Sequence, residues 1–180
     1  LDGGKTVAHV PSALEIEINE LTFDRHRAGR LLVATSEDAW RSDDGGVRWT
    51  NFTEGIPTGR ADGHHGTTFP TRRVLRIAQD ATARDTLYVV REDELFVTSD
   101  GGVNWRRRDL PELPDSLTAD PVRPNTVYLL STFPPTLHQS RDGGRSWSSS
   151  PLPVAPGTYL RPELRFDGRG NLAIFTADAQ

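Results

Sequence analysis

One eight-residue string occurs three times in this chain of 180 residues, and its recurrence restricts the fold more than any other feature. Ser42-Asp43-Asp44-Gly45-Gly46-Val47-Arg48-Trp49 returns as Thr98-Ser99-Asp100-Gly101-Gly102-Val103-Asn104-Trp105, and again as Ser140-Arg141-Asp142-Gly143-Gly144-Arg145-Ser146-Trp147. A fourth, shortened copy opens the chain as Asp2-Gly3-Gly4-Lys5-Thr6-Val7, with valine in the tryptophan position. The aspartates fall at 2, 44, 100 and 142, at intervals of 42, 56 and 42.

A second set of segments repeats in phase with the boxes. Leu31–Thr35, Leu87–Arg91, Val127–Ser131 and Leu172–Thr176 are apolar runs rich in β-branched and aromatic residues, which reads as buried strand. An aspartate that opens a turn precedes each run: Asp24, Asp80, Asp120 and Asp167. A further short strand precedes each aspartate, over Leu21–Phe23, Ile77–Gln79, Leu117–Ala119 and Leu164–Phe166. One repeat therefore reads strand A, turn, strand B, loop, strand C, D-G-G turn and strand D. Thirteen prolines and sixteen glycines punctuate the chain, and no segment sustains helical periodicity. The expected fold is all-β, a β-propeller of four-stranded antiparallel blades.

The three boxes resemble the Asp-box, or BNR, repeat of sialidases, sortilin-type receptors, xyloglucan-cleaving glycosidases and photosystem II assembly factors of the Ycf48 type. The resemblance covers essentially the whole chain and implies an Asp-box propeller. It also implies that the boxes sit at the blade periphery, away from a central cleft, and that the protein is secreted, periplasmic or extracellular. Enzymes and non-enzymes share the box, so the fold leaves function open.

Each box is expected to form a tight turn between strands C and D. There Asp44, Asp100 and Asp142 accept backbone N–H groups, Gly46, Gly102 and Gly144 supply positive φ, and Ser42, Thr98 and Ser140 brace the turn. Trp49, Trp105 and Trp147 are expected to pack back over their own hairpins, with Asp2 and Gly4 in the corresponding places of the first copy. All of these are read as structural. Trp40, Phe96 and His138 hold equivalent positions two residues before their boxes, which marks them as structural too.

The repeats run over about 11–53, 72–108, 116–150 and 160–180, and residues 1–10 supply what the last unit lacks. Two arrangements stay open: a four-bladed ring closed on itself, and an arc of a larger ring completed by further sequence or by self-association. Methionine is absent even at position 1, so a processed chain or part of a longer one is expected.

Strand connections D-to-A and B-to-C share one propeller face, and binding is expected there. The fourteen extra residues after Trp49 carry Arg60, Asp62, His64 and His65, donors suited to a ligand, a metal or a base near neutral pH; flanking glycines favour plain exposure, and no metal or other cofactor is assigned. Glu92, Asp93 and Glu94 lie in the B-to-C loop of the second repeat, where carboxylates can act as acid and base on a sugar or form a solvated turn. Phe133 and Tyr159 are aromatic tips on the same face, fit to stack on a sugar or clamp a peptide. Arg106-Arg107-Arg108 follows Trp105 and reads as a solvated edge.

Composition removes several classes. Net charge is −4, with 21 basic against 25 acidic residues, which offers no field for gathering nucleic acid. No apolar run approaches a membrane span, and mean hydropathy is −0.53. Cysteine is absent, so thiol chemistry and disulfides are excluded. Resemblance to a sialidase requires an Arg-Ile-Pro segment; the nearest string is Arg76-Ile77-Ala78, inside an ordinary strand. The expected function is a non-catalytic scaffold that binds a protein or a glycan, with a sialidase- or xyloglucanase-like glycoside hydrolase, or a fragment of one, as the alternative.

Overall fold

The structure is a computed structural model that describes residues 18–36, 38–56, 74–91, 94–153, 160–167 and 169–178. Fourteen strands and no helix occur among them. Blade one comprises β1 (Ile18–Phe23), β2 (Leu31–Thr35), β3 (Ala39–Ser42) and β4 (Thr50–Asn51). Blade two holds β5 (Val74–Gln79), β6 (Leu87–Arg91), β7 (Glu94–Thr98) and β8 (Arg106–Asp109). Blade three holds β9 (Ser116–Ala119), β10 (Val127–Thr132), β11 (Pro135–Ser140) and β12 (Ser148–Pro151). Each is an antiparallel meander in chain order, and β13 (Leu160–Phe166) with β14 (Leu172–Asp178) forms a fourth, two-stranded sheet. The expected propeller architecture is present. Completion of the fourth blade by residues 1–10, Asp2 and Gly4 included, lies outside the described residues.

Period-two alternation along each strand sends one set of side chains to each neighbouring blade, so the cores lie between blades. Leu32, Ala34, Phe52 and Ile56 of blade one meet Ile77, Leu87, Val89 and Phe96 of blade two. Tyr88, Val90 and Leu95 then meet Leu117, Val127 and Leu129. Tyr128 and Leu130 meet Leu164, backed by Phe166 and Ile174. Blade one presents the face equivalent to Ile77 and Val89 through Leu21 and Phe23, which are 54% and 71% exposed where Ile77 is 1%.

The box turns follow the expected chemistry. Ser42 Oγ accepts the Gly46 N–H at 2.7 Å and donates to Asp44 Oδ1 at 2.9 Å, while Asp44 Oδ1 accepts the amides of Val47 and Arg48. Thr98 with Asp100, and Ser140 with Asp142, repeat the pattern. These donors hold the Asp100 carboxyl down at about 2, and the Asp142 carboxyl lower still. Each box is also tied to the A-to-B turn of its own blade, because Gly45, Gly101 and Gly143 donate their N–H groups to the carbonyls of Gly29, Asp85 and Asn125.

Trp49 and Trp105 fold back as expected, each indole N–H reaching the carbonyl of its box's second glycine. The Trp147 ring also lies over its own box glycine, Gly144, but its N–H bond differs. Its indole donates instead to the Asp109 carbonyl, on the outermost strand of the preceding blade. All three tryptophans stand one residue before their D strands rather than within them.

A candidate binding cleft on the loop face

The cleft begins with Asp115, the last residue of the connection from β8 to β9. Its amide donates to the Leu130 carbonyl at 2.7 Å, and its Oδ2 accepts the Thr132 hydroxyl at 2.6 Å. Its carbonyl accepts Arg76 Nε at 2.7 Å. Three bonds from one residue thus fix the D-to-A connection against β10 of blade three and against β5, the inner strand of blade two. The result is a cleft of about 460 Å³ lined by Arg76, Glu112, Asp115 and Thr132, with Leu113 and Phe133 at its rim. Phe133 is 78% exposed and Leu113 is 58% exposed.

A second depression of about 390 Å³ adjoins it, sharing Glu112 and Leu113 and bounded by Glu94, Arg107 and Leu110. Arg107 and Glu94 pair across it at 2.8 Å. Glu94 therefore stands differently from its expected place in the loop. It is the first residue of β7, in register with Arg91, so the hairpin connection is only residues 92–93. The strand continues one residue further back because the Arg107 partner on β8 holds Glu94 in the sheet.

An inner ring of polar contacts lies beneath the cleft. Glu20, Arg76, Ser116 and Glu163 occupy the same register on the four inner strands, opposite Ala34, Val90, Leu130 and Phe175. Glu20 Oε2 accepts the Ile77 amide of the next blade at 3.0 Å, and Ser116 Oγ accepts the Leu164 amide of the next blade at 3.0 Å. Burial pushes the Glu20 carboxyl up to about 7; the Ile77 N–H and Arg76 oppose that shift, and Glu163 adds to it.

Of the residues singled out in the sequence, Phe133 lines the cleft and Glu94 its neighbour. Arg60, Asp62, His64, His65, Glu92, Asp93 and Tyr159 lie outside the described residues. No group of three or more metal-ligating side chains occurs among the described residues. Glu20, Arg76, Glu112, Asp115 and Ser116 were not singled out. A usable signal existed for the inner ring, since Glu20, Arg76, Ser116 and Glu163 each stand four residues ahead of a turn aspartate, a polar residue at a fixed offset in every repeat.

No family model matches the chain, and no curated protein sequence is similar to it. Solved structures do match. YCF48 from Cyanidioschyzon merolae superposes with a TM-score of 0.61 at 17% identity, over 93% of this chain and 52% of that one. YCF48 bound to D1 peptide matches with a TM-score of 0.58 at 16% identity, over 90% of this chain and 47% of that one. The GH74 xyloglucanase from Xanthomonas campestris gives 0.59 at 19% identity, over 88% of this chain and 24% of that one. The chain thus spans about half the length of the YCF48 proteins and about a quarter of the xyloglucanase. These likenesses establish the β-propeller fold. No helix among the described residues is long and apolar enough to cross a membrane.

Proposed function

We propose that this chain is a non-catalytic propeller module that binds an extended polypeptide segment on its loop face, in the cleft beneath Phe133. The observation that carries the reading is the pairing of exposed Phe133 and Leu113 around a cleft pinned by Asp115. Large apolar side chains on a fixed frame supply contact area at little ordering cost, which is what anchors of protein interfaces do. One structural neighbour is described as bound to a D1 peptide, which supports a peptide over a glycan. A secreted, periplasmic or extracellular location belongs to the same reading and rests on the box resemblance.

Selection from a displayed peptide library, followed by titration of a selected peptide, tests the proposal. Phe133→Ala is expected to weaken that peptide at least about tenfold. Binding unchanged in the variant, or a protein that selects only glycans from a parallel array, overturns it.

A hydrolase reading is favoured by one observation, the Glu20 carboxyl held near neutrality within electrostatic reach of Glu163 on another inner strand. It requires turnover of a xyloglucan oligosaccharide panel that Glu20→Gln abolishes. Self-association that completes the ring is supported by the exposed Leu21 and Phe23 face of blade one. Light scattering decides it: a mass near 40 kDa supports the pairing, and a 20 kDa monomer removes it.

A further inference from the structure

His138 departs from the pattern of its repeat position, where Trp40 and Phe96 stand in blades one and two. A buried imidazole among apolar equivalents is costly unless its nitrogens find partners, and here both do. Nδ1 lies 2.8 Å from Ser149 Oγ on β12. Nε2 lies 3.3 Å from Ser131 Oγ and 3.4 Å from Glu112 Oε2. The Glu112 carboxylate is not hydrogen-bonded to Nε2, but its charge beside that nitrogen favours the tautomer with its hydrogen there, and the lone pair then left on Nδ1 accepts the Ser149 hydroxyl hydrogen.

We propose that Ser149 is an activated hydroxyl that takes an acyl group from activated esters, with His138 as its base and Glu112 as the residue that positions the ring. Ser149 is exposed while His138 is buried behind it, so an ester approaches from solvent and the base stays dry. In the step, a bond forms between Ser149 Oγ and the ester carbonyl carbon, and the bond from that carbon to the leaving oxygen breaks. The serine proton passes to Nδ1 and from there to the departing alkoxide, leaving acyl-serine and free alcohol. The arrangement follows the serine–histidine–carboxylate logic with the two ring nitrogens exchanged and the carboxylate acting through its charge rather than a hydrogen bond.

Ser148 and Ser150 are internal controls, being exposed on the same strand; the Ser148 hydroxyl is engaged with the Gln139 carbonyl instead. The experiment treats the full chain with p-nitrophenyl acetate and maps acetylation by peptide mass spectrometry. Ser149 is expected to be labelled about 100-fold faster than Ser148 or Ser150, the usual scale of a general base. His138→Phe, which restores the aromatic residue of the repeat, is expected to erase that preference. Glu112→Gln is expected to reduce it about tenfold while Glu112→Asp keeps it, a contrast that loss of packing alone would not produce. Equal labelling of the three serines in the wild-type chain overturns the proposal, as does undiminished Ser149 labelling in folded His138→Phe. Should that variant fail to fold, the wild-type ratio and the two Glu112 variants decide.

Discussion

The two faces of this propeller are built by different rules. On the turn face each of the three described boxes repeats the same bonds: a hydroxyl and a carboxylate fold the box, and the box's first glycine donates to the adjacent A-to-B turn. On the loop face the bonds of the described residues differ from blade to blade. Asp115 makes three bonds to strands of two different blades, and Phe133 has no counterpart at its place in the other described blades. Repetition secures the frame, and departure from repetition supplies a surface that can discriminate among ligands.

The largest effect is expected from breaking the frame where two blades meet. A Cβ on Gly102 would sit 2.8 Å from the Phe52 carbonyl oxygen at a φ of +98°, whereas one on Gly46 at nearly the same φ meets only side chains at 3.5 Å and beyond. Gly102→Ala is therefore expected to cost about 3 kcal/mol and Gly46→Ala about 1 kcal/mol, read from urea unfolding midpoints. Equal costs would show that backbone strain alone sets the penalty and that contact between blades adds nothing.

Next comes the inner ring. The Glu20 carboxyl, at about 7 in the fold against 4.5 in its ordinary state, binds more protons folded than unfolded between those values. Its contribution to stability is fully present below about pH 4.5 and is lost as pH rises to about 7. Glu20→Gln keeps an acceptor for the Ile77 amide and removes the charge, so it should raise the Tm at pH 8 and flatten its decline from pH 4.5 to 7. A variant whose decline matches the wild type would remove Glu20 as its source.

Phe133→Ala should separate the faces from the other side. Because the ring is largely exposed, its loss is expected to change stability by less than about 0.5 kcal/mol while weakening a selected peptide at least about tenfold. The smallest effect concerns the box carboxylates, which are open to water. Asp100 titrates near 2 in the fold against 3.8 ordinarily, so it stabilises above about pH 3.8 and that contribution fades as pH falls towards 2. Asp100→Asn should make the acid limb of a Tm profile slightly shallower in that window.

Legibility in the sequence follows the same division. The box turns, the strand pairs around Asp24, Asp80, Asp120 and Asp167, and the antiparallel blades were readable because each is local and recurs at a fixed offset. The direction of the Trp147 indole was not readable, since its acceptor at Asp109 lies 38 residues away on another blade. The cleft was harder still. Arg76 and Asp115 are 39 residues apart and Asp115 and Thr132 are 17 apart, and no periodicity joins them. Phe133 could be singled out because an aromatic beside two prolines stands out in a loop; Glu112 and Asp115 look like any acidic residues in a connection. Glu94 showed the opposite error, where an acidic run suggested a loop and a cross-strand arginine made it strand.

Two inner-strand bonds run in the same direction along the arc. Glu20 serves the Ile77 amide and Ser116 serves the Leu164 amide, so in both cases the earlier blade holds the acceptor and the later blade the donor. Removing a later blade leaves a side chain that can turn to water; removing an earlier one strands a backbone amide already committed to its sheet. At these two bonds a growing chain has the acceptor made before the donor it will receive.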